Sequence, residues 1–78
     1  MLLVDRNKEP INTVFYLSAL IQGVLQDNKG MDYASLLTLL SKDILKKNVN
    51  IEVYSLALDF LFLLGKITIS ERGKIVCL

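Results

Sequence analysis

Residues 50–78, NIEVYSLALDFLFLLGKITISERGKIVCL, constrain the fold more than any other stretch of the chain. Segment 51–64 is apolar except at Glu52, Ser55 and Asp59, which fall on a thin stripe, and this predicts a helix buried on most of its circumference. Both of its ends are marked. Asn50 is a natural N-cap, Glu52 suits the positive end of the helix dipole, and Gly65 can take the left-handed position that stops a helix. Residues 66–70 then alternate as a half-buried strand does, 71–73 supply a turn with Gly73 as its left-handed residue, and 74–78 return as a second strand. A helix running straight into a two-stranded wing is therefore expected.

The remainder of the chain supplies two helices ahead of it. After a short apolar run and a polar stretch, Pro10 biases Glu9 toward extended backbone, so residues 1–12 are expected as an N-terminal arm or an edge strand. Asn12 or Thr13 caps a first helix over 13–26. Its polar positions Ser18, Gln22 and Gln26 recur every fourth residue, which predicts one narrow wet stripe on an otherwise apolar helix. Gly23 inside that helix costs about 1 kcal/mol relative to Ala; either another backbone packs closely there or the position is merely tolerated. Asp27-Asn28-Lys29-Gly30 is a loop in which Gly30 is free to take positive φ.

Asp32 then caps a second helix over 33–47. Its buried face is expected to carry Tyr33, Leu36, Leu37, Leu40 and Ile44, widened by Leu39 and Leu45, while Lys42, Asp43, Lys46 and Lys47 point outward. Residues 48–50 turn the corner into the third helix, as in a helix-turn-helix. The order of elements gives the fold class: α+β, a winged helix-turn-helix of three helices followed by a two-stranded β-hairpin wing, forming a single domain over 1–78.

Composition matters here because the chain is short. With 78 residues, one core provides only a few kcal/mol of net stability. Yet 53% of the residues are hydrophobic and the mean hydropathy is +0.46, which is more apolar side chain than so small a core hides. A tightly packed monomer is the plainer account of that excess; a permanent protein interface is the favoured one. A membrane span is not expected, since Ser18, Gln22, Gly23 and Asp59 break the long apolar runs. The apolar start at residues 1–4 is too short for a signal peptide core, and a cytoplasmic location is expected.

Three function classes separate on these residues. Catalysis lacks support: there is no His, the single Cys77 lies in an alternating strand where a thiol usually serves as a small core hydrophobe, and no Gly-rich phosphate loop is present. No metal spacing or cofactor motif occurs, so no cofactor is expected. Sequence-specific DNA binding would place the third helix in the major groove, where its outward Glu52 and Asp59 repel phosphate. The net charge of +1 leaves no general basic surplus. Weak nucleic-acid backbone contact is confined to Lys42, Lys46, Lys47, Arg72 and Lys74, with ordinary solvated charge the plainer account.

Protein binding accounts for most of the sequence. Periodicity singles out Leu17, Leu20 and Ile21 on the first helix, and Tyr54, Leu58, Phe60, Phe62 and Leu63 on the third, as contact residues. Self-association is an open alternative to a different partner.

The opening MLLVDR, the segment YLSALI at 16–21 and above all SLALDFLFLLGKI at 55–67, followed by a short hairpin, resemble the small middle components of bacterial ABC-three-component conflict systems, the group that includes Lamassu-type defence. Val4 stands before Asp5-Arg6 where that pattern has Pro. The resemblance implies a non-catalytic winged-helix adaptor, with an SMC-like ABC ATPase and an effector, often a nuclease, as its partners in anti-phage or anti-plasmid defence. A winged-helix transcription regulator is the alternative.

Overall fold

The structure, a computed structural model, describes residues 13–78. The arm or edge strand expected at 1–12 lies outside the described residues. Three helices precede a two-stranded antiparallel hairpin, which makes this an α+β domain with the winged-helix order of elements: α1 (Val14–Asp27), α2 (Tyr33–Thr38), α3 (Ile51–Leu63), β1 (Ile67–Ile69) and β2 (Ile75–Cys77).

The caps follow the residues that mark them. The Thr13 hydroxyl accepts from the Tyr16 amide, Asp32 accepts from the Ser35 amide at 2.7 Å, and Asn50 accepts from the amides of both Glu52 and Val53. Each cap satisfies amides that the first helical turn leaves without a carbonyl. These bonds favour the Asp32 carboxylate over its acid, and with the Ser35 amide as the largest cause they hold its pKa below the ordinary value. At the far end of α3, the Gly65 amide bonds the Phe62 carbonyl and the Lys66 amide bonds that of Leu61, with Gly65 at φ +73°. This is a Schellman closure, and it turns the chain directly into β1.

The second helix departs from expectation. It is α-helical only through Thr38, continues as a π-helical segment over Leu39–Ile44, and ends there instead of running to residue 47. The Leu45 amide reaches five residues back to the Leu40 carbonyl. That wider turn rotates the apolar face by one residue. Leu45 packs against the core beside buried Leu40, whereas Ile44, expected inside, faces solvent. Lys46 then takes a left-handed conformation at φ +56°, strained for a residue with a Cβ, and so begins the corner two residues earlier than the sequence implies.

Buried side chains come from every element: Leu17, Ile21 and Leu25 of α1, Leu36 and Leu40 of the second helix, Tyr54, Ala57, Leu58 and Leu61 of α3, and Ile67 and Ile75 of the hairpin. Helices α1 and α3 pack against each other where their residues are small. Ser18, expected on a wet stripe, is instead 4% exposed at this contact. Its hydroxyl donates to the Val14 carbonyl at 2.7 Å and lies 3.5 Å from the Ala57 carbonyl, so its polarity is satisfied inside the core.

The hairpin pairs Ile67 with Cys77, Thr68 with Val76 and Ile69 with Ile75. Met31 adds a further bridge on the other side of β2, exchanging both backbone bonds with Ile75 at 3.1 and 2.8 Å. That bridge fastens the loop before α2 to the hairpin and leaves β1 as the outer strand. Gly30, at φ +110°, makes it possible, since a Cβ there would stand 3.0 Å from Val76 Cγ1 and 3.2 Å from Lys74 Cβ. Cys77 is a free thiol packed partly against the core.

Candidate protein-contact surface

Helix α3 offers the core Tyr54, Ala57, Leu58 and Leu61, a spacing of three, four and seven residues that fills one face. Four of the expected contact residues are consequently not on the surface. Leu17, Ile21, Tyr54 and Leu58 are enclosed by the domain's own elements and cannot meet a partner without unfolding it. Their periodicity marked the core of the monomer. Leu20 and Phe60 are half-buried, and Phe62 and Leu63 face solvent.

Outside the core face, α3 presents two flanks. One ridge consists of Leu56, Phe60 and Leu63, with Leu63 86% exposed and Leu56 54% exposed. Phe15 of α1 extends it. The Phe15 ring meets Phe60 edge-on with centroids 5.3 Å apart, yet Phe15 remains 70% exposed. Such a ring gains little from folding the domain alone, because most of its area stays in water. Beside Phe15 along α1, Ala19 and Gly23 are exposed as well, and nothing lies within 4 Å of where a Gly23 Cβ would stand. Within the described residues, no backbone packs closely there.

The other flank, Ser55, Asp59 and Phe62, borders a shallow groove of about 280 Å³ closed on its far side by Tyr33, Ile69, Gly73 and Ile75. One wall is held firmly. The Tyr33 and Ser55 hydroxyls share a hydrogen bond of 2.7 Å, the Tyr54 hydroxyl donates to the Tyr33 carbonyl at 2.8 Å, and the two tyrosine rings meet edge-on at 5.0 Å. Burial holds the Tyr54 phenol above its ordinary pKa, with Tyr33 and Asp32 adding to the shift, so it remains a donor. Asp59 has no ion pair or hydrogen-bond partner among the described residues.

Periodicity did not single out Phe15, Leu56 or Ile69, and it placed Tyr33 on the buried face of the second helix, whereas Tyr33 is 43% exposed. The available signal was subtractive: once Leu17, Ile21 and Leu25 are taken as one stripe and Tyr54, Ala57, Leu58 and Leu61 as another, with Val14, Leu20, Val24 and Val53 packed at their margins, Phe15, Leu56 and Leu63 have no place inside.

The basic residues are dispersed over other elements. Lys42 lies on the π-helical segment, Lys46 and Lys47 in the following corner, and Arg72 and Lys74 in the hairpin, all exposed. Lys74 stands 4.0 Å from the Asp32 carboxylate. The outward face of α3 carries Glu52 and Asp59 and no Lys or Arg. Among the described residues no group of three or more His, Cys, Asp or Glu could hold a metal, and no helix is long and apolar enough to cross a membrane.

A small winged-helix-shaped domain with an apolar, acidic third helix is the setting in which the family match is informative. Residues 3–78 match the family described as ABC-three component (ABC-3C) system Middle Component 6. The chain belongs to this family. As a middle component of an ABC-three-component system, it is one part of a larger set, in keeping with apolar side chains that its own fold leaves uncovered. Neither the search of curated proteins nor that of solved structures gave a match.

Proposed function

We propose that this middle component is a non-catalytic adaptor that bridges an SMC-like ABC ATPase and an effector nuclease in a bacterial anti-phage or anti-plasmid defence complex in the cytoplasm. The observation that carries the proposal is the apolar ridge of Leu56, Phe60 and Leu63 with Phe15 beside it, solvent-facing in a domain that has already formed its core. A surface of this kind is stable in water chiefly when another chain covers it. The groove on the opposite flank of α3 offers a second contact, as an adaptor with two partners requires. Of the residues expected from sequence, Leu20, Phe60, Phe62 and Leu63 remain the proposed contacts.

The test is co-expression of a tagged copy with the other two components of its system. Retention of both through purification is the expected result, and retention of neither overturns the proposal. Tight, sequence-selective duplex binding by the isolated chain at physiological salt would instead favour a transcription regulator. The carboxylates on α3 speak against that outcome.

A further inference from the structure

Among the described residues, strand β1 is the outer edge of the small sheet. The Ser70 amide bonds the Lys74 carbonyl and the Leu78 amide bonds the Lys66 carbonyl, so residues 66, 68 and 70 turn their backbone groups toward β2. The amides and carbonyls of Ile67 and Ile69 therefore point the other way, and no described residue bonds them there; Ile67 is 2% exposed, so the accessible groups are those of Ile69. Sheets usually blunt such an edge by keeping the strand short, as the three residues of β1 do, or with charge, Pro or a bulge. Ile67-Thr68-Ile69 carries no charge, Pro or bulge, and Ile69 is 48% exposed.

The edge adjoins the groove bordered by α3, since Ile69 belongs to both. Phe62, Ile69 and Tyr33 give the groove apolar walls, and its volume is roughly twice that of a 150 Å³ cavity able to hold benzene. Asp59 is the one formally charged residue among those lining it. The nearby hairpin cation Lys74 is directed to Asp32, leaving Asp59 without a counter-charge among the described residues. At the hairpin tip, Gly73 places no side chain across the opening, and nothing lies within 4 Å of its Cβ position.

From this juxtaposition we infer that the groove and the β1 edge form one docking site for an extended segment of a partner component, which adds as a strand beside β1, seats an apolar side chain in the groove and sets a Lys or Arg against Asp59. The site deepens the adaptor role proposed above and rests on it. Main-chain bonds to Ile69 supply the attachment, and the groove with its carboxylate selects the side chains, the usual division of labour in strand addition. A partner helix would leave those backbone groups unmet, and an acidic or phosphate-bearing partner would face Asp59 with like charge. The two hydrogen bonds that hold Tyr33 fix one wall in advance, so little ordering accompanies binding.

The experiment uses the complex of the three co-expressed components. A benzophenone amino acid replacing Ile69 is expected to crosslink, on irradiation, to a partner peptide with a Lys or Arg among alternating apolar residues. Ile69→Pro removes only an outward amide, which an edge strand tolerates. It is expected to lower recovery of that partner about tenfold, whereas Lys42→Ala, outside the groove lining, leaves recovery unchanged, with circular dichroism showing both variants folded. Asp59→Lys is expected to cause a similar loss, restored when the crosslinked partner's basic residue is changed to Glu. Crosslinks that fall only on residues 1–12 of the chain itself, or wild-type recovery for both Ile69→Pro and Asp59→Lys, would overturn the strand-addition site while leaving the adaptor role standing. If the wild-type chain retains neither component, both fall together.

Discussion

The Tyr54 hydroxyl donates to the Tyr33 carbonyl across 2.8 Å, joining the first turn of α3 to the first residue of α2. Because Tyr54 is wholly enclosed, that bond is made where water cannot replace it. Tyr54→Phe keeps the ring and its edge-on contact with Tyr33 while deleting the donor. Chemical denaturation is expected to show a loss of about 1 kcal/mol, with the fold retained.

The same phenol gives the domain an alkaline limit. Burial raises the Tyr54 pKa above its ordinary value of 10.0, so in strongly alkaline solution the unfolded chain loses a proton that the folded chain keeps. Its contribution to stability is therefore complete below about pH 10 and declines as pH rises beyond it. Other groups titrate in that range too. The informative quantity is thus the difference between wild type and Tyr54→Phe: the advantage of the wild type in urea midpoint at pH 9 should shrink by pH 11.

The glycines divide into required and unused positions. Gly30 combines φ +110° with a Cβ position 3.0 Å from Val76, so Gly30→Ala strains the backbone and pushes the loop from the hairpin. A loss of about 1–3 kcal/mol is expected, together with faster amide exchange at Met31 and Ile75. Gly23→Ala meets open space in an ordinary helical turn. It should stabilise the isolated domain by about 1 kcal/mol, read as a higher melting temperature.

Much of the fold was legible in particular residues. Thr13, Asp32 and Asn50 announce three helix starts, Gly65 closes α3, and the 66–78 pattern reads as a hairpin. What escaped was set by tertiary contacts without a local signature. The π-helical turn that keeps Leu45 against the core and turns Ile44 out follows from how the second helix meets the core, and nothing in LLSKDI signals it. Met31 pairs with a strand 44 residues later through a single bridge, too short to show alternation. For the contact surface, α1 is apolar around most of its circumference, so periodicity selected its strongest stripe. That stripe proved to be the inside, and the proposed contact face is what the subtraction leaves.

This distinction between inside and outside yields the sharpest mutational contrast. Leu63 is 86% exposed at the last position of α3, so Leu63→Asp places a carboxylate in water near the negative end of the helix dipole and should cost no more than about 1 kcal/mol. At a surface covered by a partner, the same carboxylate is desolvated without a counter-charge, and recovery of the complex should fall at least tenfold. Tyr54→Asp buries a charge in the core instead, and should unfold the domain before any partner is added. Circular dichroism and co-purification on both variants separate the cases. A Leu63→Asp chain that is folded and still binds both other components at wild-type levels would remove the ridge from the interface.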